Sequence, residues 1–197
     1  MAPASIIEVP TVLPARRMST LADRLRAVHD ALNAAGFPHA FGGAIALAYC
    51  TEEPRGTRDL DVNVFVGADR AKEVLDSLPE AVSVTQADRR RARNEGQVRV
   101  MWDNTPIDLF FDLDEFHHQV AAEVVEVPFE DTTIPVLGCG ALVVFKAMFN
   151  RTRDWADIEA MFEAGAVNGS HALKTLRALL GESDPAVARL QDLVQPT

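Results

Sequence analysis

Asp59 and Asp61 are the residues of this 197-residue chain whose types and spacing point most directly to chemistry. They stand one residue apart in DLDVNVFV (59–66), where Leu60, Val62, Val64 and Val66 alternate with Asp59, Asp61, Asn63 and Phe65. That is the period of a strand. Side chains two residues apart on a strand leave the same face, with Cα atoms about 6.6 Å apart. Two carboxylates so placed can converge on a hard cation such as Mg²⁺; two solvated acids at a strand end are the plainer alternative. Gly42-Gly43 lies upstream, with fifteen residues between Gly43 and Asp59, where a strand turns into a helix. Glycine lets a phosphate approach the backbone, and a helix N-terminus supplies N–H donors. An ordinary tight turn would use the same residues. A phosphate cradle beside a metal pair suggests a nucleoside triphosphate. Asp108 lies in the apolar run PIDLFF (106–111), where a lone carboxylate is costly unless a cation or hydrogen bonds satisfy it. As a third metal ligand it needs its strand beside 59–66. Asp112 and Asp114 compete with it but sit at the strand end.

Two sets of basic residues invite a role with phosphate. Lys146 interrupts an otherwise apolar helix containing Leu142, Val143, Val144, Phe145, Met148 and Phe149. It is either a snorkelling rim residue or a phosphate contact. Arg89, Arg90, Arg91, Arg93 and Arg99 are five of the 19 basic residues within eleven positions. They form either a solvated loop or a local patch for RNA phosphates, with Arg151 and Arg153 able to extend it. His117-His118 has no further His or Cys at ligand spacing, so a helix surface suits it better than a metal site. Asn168-Gly169-Ser170 matches a glycosylation sequon that has no meaning in a cytoplasm. No serine occupies a nucleophile elbow.

The elements that must position these groups alternate between strand and helix signals. Residues 1–17 carry Pro3, Pro10 and Pro14 and read as an extended arm, with Met18 an alternative start. Thr20 and Asp23 have capping-box spacing ahead of the apolar stripe Leu21, Leu25, Val28 and Leu32. Gly36 and Pro38 stop that helix. A short strand over His39–Phe41 leads through Gly42-Gly43 into a helix ending near Tyr49. After the strand 59–66, Asp69–Leu78 reads as a helix capped by Asp69, and Val82–Thr85 as a short strand. Gln97–Trp102 and Ile107–Phe111 flank the turn Asp103-Asn104-Thr105-Pro106 as a hairpin. A helix over 114–124 precedes strands at Val125–Phe129 and Thr133–Leu137. Helical patterns follow at Ala141–Asn150, Asp154–Ala164, His171–Leu180 and Pro185–Leu193. The expected fold class is α/β (α+β): an arm at 1–17, a mixed-sheet core at 18–137 and a helical subdomain at 138–197.

Composition narrows the function. The net charge of −10, from 29 acidic and 19 basic residues, excludes a globally basic nucleic-acid binder but leaves room for a local patch. No apolar run approaches the roughly 20 residues of a membrane span. The beginning of the chain lacks the pattern of a secretory signal. Cys50 and Cys139 cannot build a zinc site by themselves, so the expectation is a reducing cytoplasm and two free thiols.

The combination of Phe41-Gly42-Gly43, RGTRDLDV from Arg55 to Val62 and IDLFF from Ile107 resembles the DNA polymerase β-type nucleotidyltransferase superfamily. The later stretch FKAMFNRTRDWADIEAMF, Phe145 to Phe162, is similar to the Lys…Arg-Asp-x-x-Asp helices of AbiEii-type toxins, and of the MenT nucleotidyltransferase toxins of mycobacteria in particular. The resemblance spans about residues 18–165. It implies a sheet-based nucleotidyltransferase core with a helical C-terminal part. It also implies transfer of nucleotides, often pyrimidines, from NTP to the 3′ acceptor end of tRNA. That blocks aminoacylation and translation and is neutralised by a cognate antitoxin. Gly42, Gly43 and Arg58 would then face the nucleotide, Asp59 and Asp61 would hold Mg²⁺ in a two-ion site completed by Asp108, and Lys146 would contact phosphate. The helical acid would be Asp157, although Arg153-Asp154-Trp155-Ala156-Asp157 departs from the family's Lys-Asp-x-x-Asp and leaves Asp154 as its rival. Thr57 matches a Ser or Thr that some relatives phosphorylate through a kinase-like antitoxin. Two rival functions share the motifs: an antibiotic (aminoglycoside or lincosamide) adenylyltransferase, and an inactive binding module of the same fold.

Overall fold

The structure, a computed structural model, describes residues 19–113 and 115–194. The arm expected at residues 1–17 and the rival ligand Asp114 lie outside the described residues.

Helix α1 (Leu21–Ala34) starts at the expected capping box: Thr20 Oγ1 accepts the Asp23 N–H and Asp23 Oδ2 accepts the Thr20 N–H. Leu25, Val28 and Leu32 bury its apolar stripe. Strand β1 (His39–Phe41) runs into α2 (Gly43–Thr51), and β2 (Leu60–Gly67) follows. A 3₁₀ turn (Ala68–Arg70) precedes α3 (Ala71–Ser77), then come β3 (Val82–Ser83) and α4 (Gln86–Glu95). The hairpin is β4 (Gln97–Trp102) and β5 (Thr105–Asp112). Next are α5 (Glu115–Ala122), β6 (Val125–Phe129) and β7 (Thr132–Val136). The chain then turns helical: α6 (Cys139–Phe149), α7 (Thr152–Glu163), α8 (Gly169–Leu180) and α9 (Pro185–Val194).

The strands form one seven-stranded mixed sheet in the order β3-β4-β5-β2-β1-β7-β6. β2 pairs with β5 and β1 with β7 in parallel; the remaining neighbours are antiparallel. The central strands carry the fully buried apolar row Leu60, Val62, Ile107, Leu109 and Phe111. Helix α6 packs against α2, α7, α8 and α9, so the C-terminal helices are fused to the sheet through one continuous core.

Three expectations are corrected. The Arg89–Arg93 run is not a loop: Thr85 and Asp88 form a capping box, and the arginines ride on α4. The helix expected from a cap at Asp69 starts later, because residues 68–70 form the tighter 3₁₀ turn and Arg70 occupies the N-cap of α3. The two cysteines are not free thiols but a disulfide. Cys50 lies in the last turn of α2 and Cys139 opens α6. Those helices follow β1 and β7, which are paired neighbours, so their ends meet although 89 residues separate them.

Candidate active site

The register of β2 against β5 sets the site. Asp61 sits directly opposite Asp108, as the proposed third ligand required, and Asp59 lies just before β2 rather than inside it. One strand further along the sheet, Arg99 of β4 is opposite Asp108. Asp61 and Asp108 therefore share one sheet face at its centre, and Asp59, just before the strand, borders the same cleft.

Glycine at 43 is what lets a helix start there. Gly43 has φ +50°, and a Cβ on it would overlap Asp61 Oδ2. Gly42 is tight as well, since a Cβ there would lie 3.1 Å from Asn63 Nδ2 and 3.2 Å from Leu137 Cδ1. The Gly42 N–H donates to the Asp61 carbonyl at 2.8 Å, so that amide is spent on the sheet. The first-turn amides that border the cleft belong to Gly43 and Ala44; first-turn amides have no intrahelical acceptor.

The cleft has a volume of about 480 Å³ and runs from the Gly43 end of α2 across Asp59, Asp61 and Asp108 to α6 and α7. Thr57 Oγ1 donates to Asp59 Oδ1 at 2.5 Å. Arg99 holds both oxygens of Asp108, at 2.7 and 2.6 Å. Burial, followed by the negative charges of Asp59 and Asp108, pushes the Asp61 carboxyl up to about 6. Among the described residues no three His, Cys, Asp or Glu side chains are gathered closely enough to hold a metal; Thr57 and Arg99 hydrogen-bond two of the three acids. The donor set nonetheless fits a divalent cation. It is all oxygen, it brings three carboxylates to one cleft, and the Arg99 side chain that pairs with Asp108 is 59% exposed.

Lys146 is buried at 6% exposure, which overturns the snorkelling alternative. Its Nζ donates to Asp157 Oδ2 at 2.6 Å and lies 3.7 Å from Asp154 Oδ1. Arg55 grips Asp157 from the other side through both terminal nitrogens. Asp154 bonds Arg151 at 2.7 Å. Burial acts to raise the Asp154 pKa, but the Arg151 hydrogen bonds and charge prevail and lower it. Both acids of the helical motif are thus engaged by cations that line the same cleft.

Of the residues singled out from sequence, Gly43, Thr57, Arg58, Asp59, Asp61, Asp108, Lys146 and Asp157 border this cleft. From the arginine run, Arg91 reaches a groove that continues from Asp61 and Asp108, whereas Arg89 is tied to Asp76 and the exposed Arg90 and Arg93 border neither space. Arg55 carried no signal of its own: it stands inside the quoted RGTRDLDV stretch, but its partner lies 102 residues away. Phe110 and Phe149 were visible only as members of apolar runs. His118 sits on α5 but pairs with Asp112 at 2.9 Å.

No family model matches the sequence, and no curated protein matches it either. Solved structures do. The chain is similar to the antibiotic-resistance factor ANT(2″)-Ia in its solution structure, with TM-score 0.57 and 12% identity over 86% of this chain and 96% of that one. The crystal structure of ANT(2″)-Ia in complex with adenylyl-2″-tobramycin gives TM-score 0.55 and 12% identity over 88% and 98%. At that identity the likeness is one of fold: a mixed α/β sheet followed by helices, the architecture of nucleotidyltransferase-fold proteins.

Proposed function

We propose that this chain is a Mg²⁺-dependent nucleotidyltransferase that transfers a nucleotide, preferably a pyrimidine, from NTP to the 3′ end of tRNA. In this reading it is the toxin of a toxin–antitoxin pair. The observation that carries the chemistry is the Asp61–Asp108 register facing the Gly43 helix start. The triphosphate would lie along the α2 N-terminus, where Gly43 and Ala44 amides and the helix dipole favour negative charge. Arg58, Arg153 and Lys146 border the same space and would hold its phosphates. Divalent ions held by Asp59, Asp61 and Asp108 would stabilise the attacking and leaving oxygens. Asp108 would orient the acceptor hydroxyl and take its proton as the oxygen bonds to the α-phosphorus. The bond from that phosphorus to the bridging oxygen breaks, and pyrophosphate leaves.

Thr57 is the natural control point of this reading. A phosphate on its hydroxyl, which already touches Asp59, would add about −1.5 to −2 charge beside the carboxylates. A kinase-like antitoxin would act there, and Thr57→Glu would mimic it.

The rival adenylyltransferase reading is favoured by the likeness to ANT(2″)-Ia. Against it, the five carboxylates that border the cleft, Asp59, Asp61, Asp108, Asp154 and Asp157, are offset by Arg55, Arg58, Arg99, Lys146, Arg151 and Arg153, so the space has no net negative charge to draw in a polycationic drug. The deciding experiment incubates the protein and Mg²⁺ with each α-labelled NTP and total RNA, or with aminoglycosides. Label in tRNA supports the proposal, label in the drug replaces it, and no NTP·Mg²⁺ binding by calorimetry makes the chain an inactive binding module.

A further inference from the structure

Three large hydrophobic side chains that stand exposed, Leu113, Met148 and Phe149, line one cavity of about 200 Å³ beside Asp61. Phe149, the last residue of α6, is 49% exposed. Its ring lies 6.2 Å from that of Phe110, centroid to centroid, at a tilt of 55°. Both rings also wall the groove of about 450 Å³ that runs from Asp61 and Asp108 to Arg91 on α4. The Arg151 guanidinium sits 5.0 Å from the Phe149 ring centroid, and Arg99 borders the groove as well. Exposed apolar surface clustered beside a catalytic cleft marks a binding site. Aromatic faces rimmed by arginines match nucleobases and their phosphates, because each base has a π-face to stack and each phosphate a charge to neutralise.

We infer that Phe149, backed by Phe110, is the stacking platform for the terminal base of a single-stranded RNA acceptor, whose 3′-hydroxyl lies at Asp108 and whose preceding phosphates run toward Arg91. The inference rests on the nucleotidyltransferase reading and supplies the recognition of the acceptor. Its geometry follows from β5. Asp108 and Phe110 are two residues apart on one strand and face the same side, about 6.6 Å apart at Cα. A hydroxyl held at the first residue therefore places its own base over the second. Arg91 is exposed and 3.8 Å from Glu95, a weak surface pair that a phosphate can replace.

The test uses the whole chain and a short single-stranded RNA ending in 2-aminopurine, whose fluorescence falls on stacking. Wild type is expected to bind it with quenching. Phe149→Ala is expected to bind roughly tenfold more weakly and without quenching, and Phe149→Trp to restore both. NTP·Mg²⁺ affinity, read separately by calorimetry, is expected to stay at the wild-type value in both variants. Wild-type binding without quenching, or Phe149→Ala binding as tightly as wild type, overturns the platform. If Phe149→Ala loses NTP·Mg²⁺ affinity, the ring belongs to the nucleotide; the acceptor inference then falls and the transferase reading stands. If wild type binds no NTP·Mg²⁺, the transferase reading itself falls.

Discussion

Gly43 and the Asp61 carboxylate occupy space that only a hydrogen side chain leaves open: a Cβ on residue 43 would sit inside Asp61 Oδ2. The helix start and the carboxylate proposed as the central metal ligand are thus built as one unit. The positive φ of Gly43 adds a second requirement, since an L side chain in the left-handed region costs about 1–2 kcal/mol.

Gly43→Ala is accordingly expected to lose about 1–2 kcal/mol of stability from backbone strain alone. The larger effect falls on activity. Pushing Asp61 by even an ångström misplaces a metal ligand, and such displacements cost on the order of a hundredfold in rate. Thermal melts and nucleotidyl transfer measured on the same sample separate the two. A variant as active as wild type would show that the close approach has no catalytic meaning.

A pH dependence follows from the buried His39. Its Nδ1 is 2.8 Å from the Phe37 carbonyl, so that nitrogen carries the proton and Nε2 accepts from His29 Nδ1 at 3.0 Å. Burial first, and the neighbouring His29 in addition, lower the His39 pKa below 6.5 against the opposing Phe37 hydrogen bond. The unfolded chain then takes up the proton before the folded one as pH falls. Stability is fully present above pH 6.5 and is lost as pH drops through that value toward the lower folded pKa. Asp61, whose carboxyl is pushed up to about 6, gains stability over the same fall in pH, so the His39 contribution is read as the difference between wild type and His39→Phe, which keeps a ring and cannot titrate, in urea unfolding between pH 8 and pH 5.

Much of this site was legible before any coordinates. Asp59, Asp61 and Asp108 could be paired across strands because alternation fixes which face a side chain leaves by, and a carboxylate inside PIDLFF demanded a partner. Capping at Thr20 and Thr85 is local chemistry, but the first precedes an apolar stripe at helical spacing, whereas the second precedes a run of arginines with only Ala92 buried, which carries no such stripe. What stayed hidden depends on long-range closure. Arg55 meets Asp157 only because α7 returns over the cleft. Phe149 becomes a platform only because β5 brings Phe110 beneath it. Cys50 meets Cys139 through the β1–β7 pairing, which no local period announces.

The disulfide has its own expected signature. It closes a loop of 89 residues, and cross-links of this kind typically contribute about 2–4 kcal/mol by restricting the unfolded chain. Oxidised protein should show no thiol reactive toward a chromogenic disulfide when denatured, and two after reduction. Reduction, or Cys50→Ser with Cys139→Ser, should lower the unfolding free energy by that amount, seen as a lower urea midpoint. Transfer activity should persist, because neither sulfur borders the cleft. Two thiols in denatured, unreduced protein would restore the reducing-compartment picture.

Lys146 and Asp157 pose the sharpest question, because the lysine proposed to hold phosphate is also half of a buried ion pair. The pair is buried, with side chains 8% and 6% exposed, and Arg55 completes the cage around the carboxylate. Breaking such a pair from one side strands a charge and costs about 3–5 kcal/mol, so Asp157→Ala should unfold far more easily than wild type. Removing both charges with shape kept, as in Lys146→Met with Asp157→Leu, should recover part of that loss, the remainder being the Arg55 guanidinium left without its carboxylate. The double variant then isolates function. If Lys146 turns to the triphosphate when nucleotide binds, the folded double variant should show a KM for NTP raised roughly tenfold or more, the scale of one charge-assisted hydrogen bond. A double variant that folds and keeps the wild-type KM would make Lys146 a packing residue and leave the phosphates to Arg58, Arg153 and the Gly43 helix start.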